Sequence, residues 1–211
     1  MFRRLKSGVK TGTYSIITGI LTILVKLLFG FRVIGREHVE PNGAYIAIAR
    51  HRSYWDIPMM VAALGVRNQV HFIARRGLMK NVPILRSLIR AFSTVIDREN
   101  FTKSDFRKML EAVRREQLIG LFPEGTTKRR VDASAGAVHF AALAKKDFLP
   151  VNIRAEGAYP PRSPFRFPRV VVSIGMPFPV SALNGDGPAD EARSERYRRM
   201  SLRLMERVDT A

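Results

Sequence analysis

The feature that most constrains this chain is a regular alternation between residues 44 and 178. Short apolar runs, "AYIAIA" (44–49), "VHFIA" (70–74), "STVID" (93–97), "LIGLF" (118–122), "FLPVNI" (148–153) and "RVVVSIGMPF" (169–178), are too short for helices and rich in β-formers. Segments of ten or so residues with helical character separate them: "SYWDIPMMVAALG" (53–65), "PILRSLIRAF" (83–92), "TKSDFRKMLEAVRRE" (102–116) and "AGAVHFAALAKK" (135–146). "FRVIGREHV" (31–39) alternates weakly and reads as a further strand, and the charged amphipathic "PADEARSERYRRMSLRLMERV" (188–208) as a closing helix. Strands alternating with helices of this length predict an α/β fold, a single-domain αβ sandwich with a largely parallel central sheet. The 211 residues suit one domain. The best linker candidate, "SALNGDGPAD", leads only into the last helix, so residues 32–211 read as one unit.

Residues 1–31 read differently. "MFRRLKSGVK" holds four basic residues and no acid, and "YSIITGILTILVKLLFGF" (14–31) is largely apolar. No small-residue cleavage site follows, which argues against a secretory leader. At about 100° per residue Ser15, Thr18, Thr22 and Lys26 fall on one narrow stripe, with Ile17, Ile20, Leu24, Leu27 and Leu28 around the rest. The expectation is an N-terminal amphipathic membrane-associated helix, lying peripherally or monotopically on the cytoplasmic face of the cell membrane. A helix packed on the protein's own core is the alternative.

Charge points the same way. Lys+Arg number 36 against 18 Asp+Glu, a net charge of +18, which asks for an anionic partner: a membrane surface, a phosphorylated substrate or nucleic acid. No nucleic-acid-binding motif is present and the apolar N-terminus has no role on that reading, so a nucleic-acid partner is not expected. The chain has no cysteine, no G-x-S-x-G elbow, no P-loop and no H-E-x-x-H, and its four histidines lack ligand spacing. A thiol or serine nucleophile, a metal and a cofactor are therefore not expected.

Chemistry gathers instead at strand ends. In "ARHRSYWD" His51 leaves a strand and Asp56 follows five positions on, one turn into a helix. Asp56 could hold Nδ1–H and leave Nε2 as a general base. Ser53-x-x-Asp56 also resembles a capping box, in which the carboxylate would serve a backbone N–H. The residues alone leave both open. "LFPEGTTKRR" (121–130) ends a strand in Phe122, Pro123, Glu124, Gly125 and Thr126 and runs into Lys128, Arg129 and Arg130, cations suited to a phosphate. Arg75, Arg76 and Arg98 lie just past two other strands.

Taken in order, His-x4-Asp at 51–56, "FIARRGL", "STVIDR", "FPEGT" and "FLPVNI" resemble the glycerophospholipid acyltransferase family of the 1-acylglycerol-3-phosphate type, over about residues 30–180. The resemblance implies acyl transfer from acyl-CoA or acyl carrier protein to a lysophospholipid hydroxyl at an anionic membrane surface, with no cofactor. His51 would be the base and Asp56 its partner. Arg75, Arg98 and the stretch Phe122, Pro123, Glu124, Gly125, Thr126 with Lys128 would bind substrate. Arg50 stands where the family usually has Asn and Thr127 where it has Arg, and these departures bear on acceptor choice. Glycerol 3-phosphate, another lysolipid, or a non-catalytic lipid-binding role are the alternatives.

Overall fold

A computed structural model describes residues 2–40, 43–79, 83–124, 135–162, 166–185, 188 and 190–211. In chain order the elements are α1 (Phe2–Phe29), β1 (Arg32–Ile34), β2 (Tyr45–Ile48), α2 (Asp56–Leu64), β3 (Val70–Arg75), α3 (Pro83–Phe92), β4 (Ser93–Ile96), α4 (Lys103–Arg115), β5 (Leu118–Leu121), α5 (Gly136–Ala144), β6 (Asp147–Glu156), β7 (Arg169–Ile174) and α6 (Arg193–Asp209). The strands form one sheet in the order β1-β7-β6-β2-β5-β3-β4. Every neighbouring pair runs parallel except β6 and β7. Parallel strands need crossovers, and the helices supply them on both faces.

β2 shows how the layers form. Tyr45, Ala47 and Ala49 point into a core shared with α1 and α2, while Ile46 and Ile48 point into the opposite core with α5 and α6. Both faces are covered, so the run is apolar throughout, as the sequence predicts for a buried parallel strand. Each fully buried side chain of this size contributes roughly 1.5–3 kcal/mol. α2 ends where Gly65 takes φ +84° and donates to the Val61 carbonyl. Arg36 then covers the Ala62 and Ala63 carbonyls, at 2.8 and 2.9 Å, and Asn68 that of Leu64.

One expected strand is shorter than "FRVIGREHV" implies. β1 stops at Ile34 because Gly35 turns to φ +76°, and the chain enters a 3₁₀ turn over Arg36–His38. A Cβ at Gly35 would sit 2.0 Å from the Ile174 carbonyl oxygen, so only glycine fits there.

α1 begins well before the apolar run and continues unbroken through it. Tyr14, Thr18, Val25 and Phe29 are buried, and α1 lies against α2. The Tyr14 hydroxyl donates to the Asn68 carbonyl and accepts from Val70 N–H. The polar stripe read from sequence thus faces mostly inward, with Ser15 donating to the Val66 carbonyl and Lys26 alone of the four fully exposed. The outward face carries Ile16 (66% exposed), Ile20, Ile23, Leu24 and Leu27 (80% exposed). Thr11–Phe29 is long and apolar enough to cross a membrane by length and composition.

Candidate active site

The loop leaving β2 reaches the carboxyl end of the sheet between the ends of β5 and β6, where ligands of open α/β sheets bind. There the structure brings His51 and Asp56 together. Asp56 opens α2 and is 0% exposed. Its Oδ2 accepts from Arg52 N–H at 2.6 Å and Ser53 N–H at 2.7 Å, and lies 3.3 Å from His51 Nδ1. One carboxylate oxygen therefore does what the two sequence readings assigned separately: it satisfies loop N–H groups and faces the imidazole. Ser53 is not the N-cap. Trp55 holds that position without a side-chain cap, and Ser53 Oγ accepts from Trp55 N–H at 3.2 Å. The chain turns late into the helix because Asp56 has already gathered the loop N–H groups.

The other carboxylate oxygen is taken from far away in sequence. Tyr159, in the loop after β6, donates its hydroxyl to Asp56 Oδ1 at 2.5 Å. Burial, and then the Asp56 charge, push the Tyr159 phenol well above its ordinary pKa, so it remains a donor. The Arg52 guanidinium sits 5.6 Å over the Tyr159 ring and donates to the Ile153 carbonyl.

His51 is held on its flat side as well. Phe122 stacks on the imidazole with centroids 4.5 Å apart and planes 22° apart, and Phe72 stacks behind Phe122 at 6.2 Å. Phe72 fits because Gly120 lies beneath it: a Cβ there would be 2.4 Å from the ring. The His51 side chain keeps 14% of its surface open, enough for one edge to meet a substrate.

Glu124 closes the site on the β5 side. Its Oε2 accepts from His51 N–H at 2.8 Å and its Oε1 from Arg50 at 2.8 Å. Arg50 also makes a two-pronged pair with Asp209 at the end of α6, both bonds 2.6 Å. Asp209, partly opposed by burial, and then Glu124 raise the Arg50 guanidinium above its ordinary range. Both Glu124 oxygens therefore hold the loop that carries Arg50 and His51. Pro123 is buried beside it.

Arg75 is the last residue of β3, in register with Ile96 at the end of β4, and Arg98 stands two residues past that end. Desolvation, then the Arg75 cation, lower the Arg98 guanidinium below its usual range. Arg75 also lies 4.0 Å from the exposed Glu99 carboxylate, and two neighbouring cations would suit an anion placed between them. β2 is separated from β3 by β5 alone, so the imidazole and this pair lie roughly 10–15 Å apart at ordinary strand spacing. Gly125, Thr126 and Lys128 lie outside the described residues.

Sequence reasoning missed Tyr159 and Asp209. Tyr159 sits in "GAYPPR" directly after the last motif strand, and that placement was its one available signal. Asp209 offered none.

This arrangement can take a proton at His51 Nε2 while Asp56 holds Nδ1, with two arginines at the neighbouring strand ends. A family model described as Acyltransferase matches residues 30–154, which include His51, Asp56, Arg75, Arg98 and Glu124. A 1-acyl-sn-glycerol-3-phosphate acyltransferase of Bacillus subtilis is 23% identical over 165 residues, 78% of this chain and 81% of that protein. One from Streptococcus pneumoniae is 27% identical over 172 residues, 80% of this chain and 63% of that protein. Among solved structures, the 1-acyl-sn-glycerophosphate (LPA) acyltransferase PlsC from Thermotoga maritima has the same fold. Its TM-score is 0.72 at 20% identity, covering 97% of this chain and 80% of that one. The matched stretch spans more than half of the 211 residues and contains the strand-end site, and on that ground the chain belongs to the acyltransferase family.

Proposed function

We propose that the protein transfers a fatty acyl chain from an acyl-CoA or acyl carrier protein thioester to the hydroxyl of a lysophosphatidic-acid-type acceptor at a membrane surface. The observation that carries this reading is the His51–Asp56 pair at the carboxyl ends of β2 and α2's first turn, in the same strand-end row as the Arg75–Arg98 pair. The names of the relatives supply the acceptor class.

The chemistry then runs by direct transfer. The acceptor oxygen attacks the thioester carbonyl carbon as His51 Nε2 takes its proton, and Asp56 stabilises the imidazolium that forms. The C–S bond breaks, the new C–O ester bond remains, and the thiolate leaves with the proton from imidazolium. Arg75 and Arg98 hold the acceptor phosphate, and this positioning contributes as much as the proton transfer. The apolar outward face of α1 lies in the lipid interface, which keeps two lipid partners within reach, and the basic composition of the N-terminal sequence favours anionic headgroups.

The test is a donor-by-acceptor panel with vesicle-reconstituted protein, reading thiol release. Lysophosphatidate, glycerol 3-phosphate and a neutral lysolipid are the acceptor arms. Transfer to lysophosphatidate that falls about 10³-fold in His51→Ala, with the protein still folded and vesicle-bound, supports the reading. Near-parent transfer by purified His51→Ala sinks the mechanism, and activity confined to another acceptor reassigns the substrate.

A further inference from the structure

Asp56 is a fully buried carboxylate, and such a group is stable only when its oxygens are hydrogen-bonded. Oδ2 has two backbone donors and the His51 ring. Oδ1 is met by the Tyr159 hydroxyl, at 2.5 Å from a residue 103 positions away. The Tyr159 ring is itself held in place: it packs on the core beneath α1 and α2, with the Arg52 guanidinium over its face. A phenylalanine would fill the same space but would lose the contacts of the hydroxyl with Asp56 and with the Ser53 side chain. The hydroxyl is explained by the carboxylate it meets.

We infer that Tyr159 is a positioning residue for acyl transfer, acting through Asp56 to set how strongly His51 holds its proton. The phenol draws part of the Asp56 negative charge onto itself. Without it, Asp56 keeps its two backbone donors but offers more charge to the imidazole. His51 then binds its proton more tightly, so its titration midpoint rises and less free base is present at neutral pH. Burial keeps the phenol protonated, so the donor persists across the working range. Among the described residues, the other charged groups facing this cluster are Arg52 over the Tyr159 ring, Glu124 at the His51 N–H, and Arg50 with Asp209 beyond it.

The experiment is Tyr159→Phe in the full chain, which removes one oxygen and keeps the shape. Two readouts are taken: acyl-transfer kinetics, and the side-chain ¹⁵N NMR titration of His51, assigned with His51→Gln. The expected result is a kcat up to about 3-fold lower at pH 7, KM for lysophosphatidate within about two-fold, and a His51 midpoint raised by roughly half a unit. Site-specific 3-fluorotyrosine at 159, a stronger donor of nearly the same shape, should move the midpoint the other way. An unmoved midpoint overturns the inference, whether or not the rate falls, because a packing role would lower the rate without touching the titration. A moved midpoint with an unchanged rate overturns it too. The kinetic arm rests on the proposed acyl transfer, the NMR arm does not. A parent protein with no transferase activity but a Tyr159-dependent midpoint would sink the function and leave the Tyr159–Asp56–His51 coupling standing.

Discussion

The two roles of Asp56 meet in one oxygen, and a substitution can separate them. Asp56→Asn keeps a carbonyl that can accept from the Arg52 and Ser53 N–H groups, but it loses the negative charge facing His51 Nδ1. We expect transfer to drop by about 10² or more, with the melting temperature falling only a few degrees. A large loss of melting temperature with a modest loss of rate would make Asp56 chiefly a loop-holding residue. Arg98→Ala tests the other end of the site. It should raise KM for a phosphorylated acceptor roughly tenfold, the scale of one charged hydrogen bond, and barely change KM for an uncharged one. An equal effect on both acceptors would remove the arginine pair from phosphate binding. His51 and Asp56 were legible as a pair because turning from strand into helix brings residues five apart together. Their third partner was not, because no local rule connects position 159 with position 56.

At the scale of elements, β5 and α1 each carry a burden that their sequences only partly announce. β5 backs the imidazole through a stack: Gly120 admits Phe72, Phe72 supports Phe122, and Phe122 supports His51. Gly120→Ala should therefore destabilise by about 1–3 kcal/mol and lower the transfer rate several-fold, read by thermal melts and initial rates. Gly19→Ala in α1, where nothing lies within 4 Å, is the control and should leave both unchanged or slightly improve stability. The amphipathic stripe of α1 was visible in sequence, yet its direction was not. Polar Thr18 is buried and apolar Leu27 is exposed, because the body of the protein packs on the side of α1 that carries Tyr14, Ser15 and Thr18 and supplies carbonyl partners for Tyr14 and Ser15. Ile20→Glu with Leu27→Glu places charges on exposed positions only, so folding should survive while sedimentation with vesicles at 1 M salt is lost. Retained sedimentation would remove the α1 face from membrane attachment.

At the scale of the whole molecule, a net charge of +18 and the apolar α1 face predict attachment with two components. Raising salt from 0.1 to 1 M shortens the Debye length from about 10 to 3 Å. Binding to anionic vesicles should weaken sharply over that range but keep a salt-resistant remainder from α1, measured by co-sedimentation; complete release would mean charge alone holds the protein. The α/β class, the strand and helix positions, and the convergence of charged residues at strand ends were all determined by the sequence itself. Those features follow from hydrophobic period, cap chemistry and chain direction, which are local properties. Only the tertiary structure decided that β1 joins β7 beyond an antiparallel step, and that α6 returns Asp209 to Arg50. It alone decided that Glu124 serves the His51 loop and that Tyr159 completes the Asp56 carboxylate. Each of these is a contact between residues about 70 to 160 positions apart. Such contacts depend on which strand neighbours which, and apolar periodicity carries no record of that order.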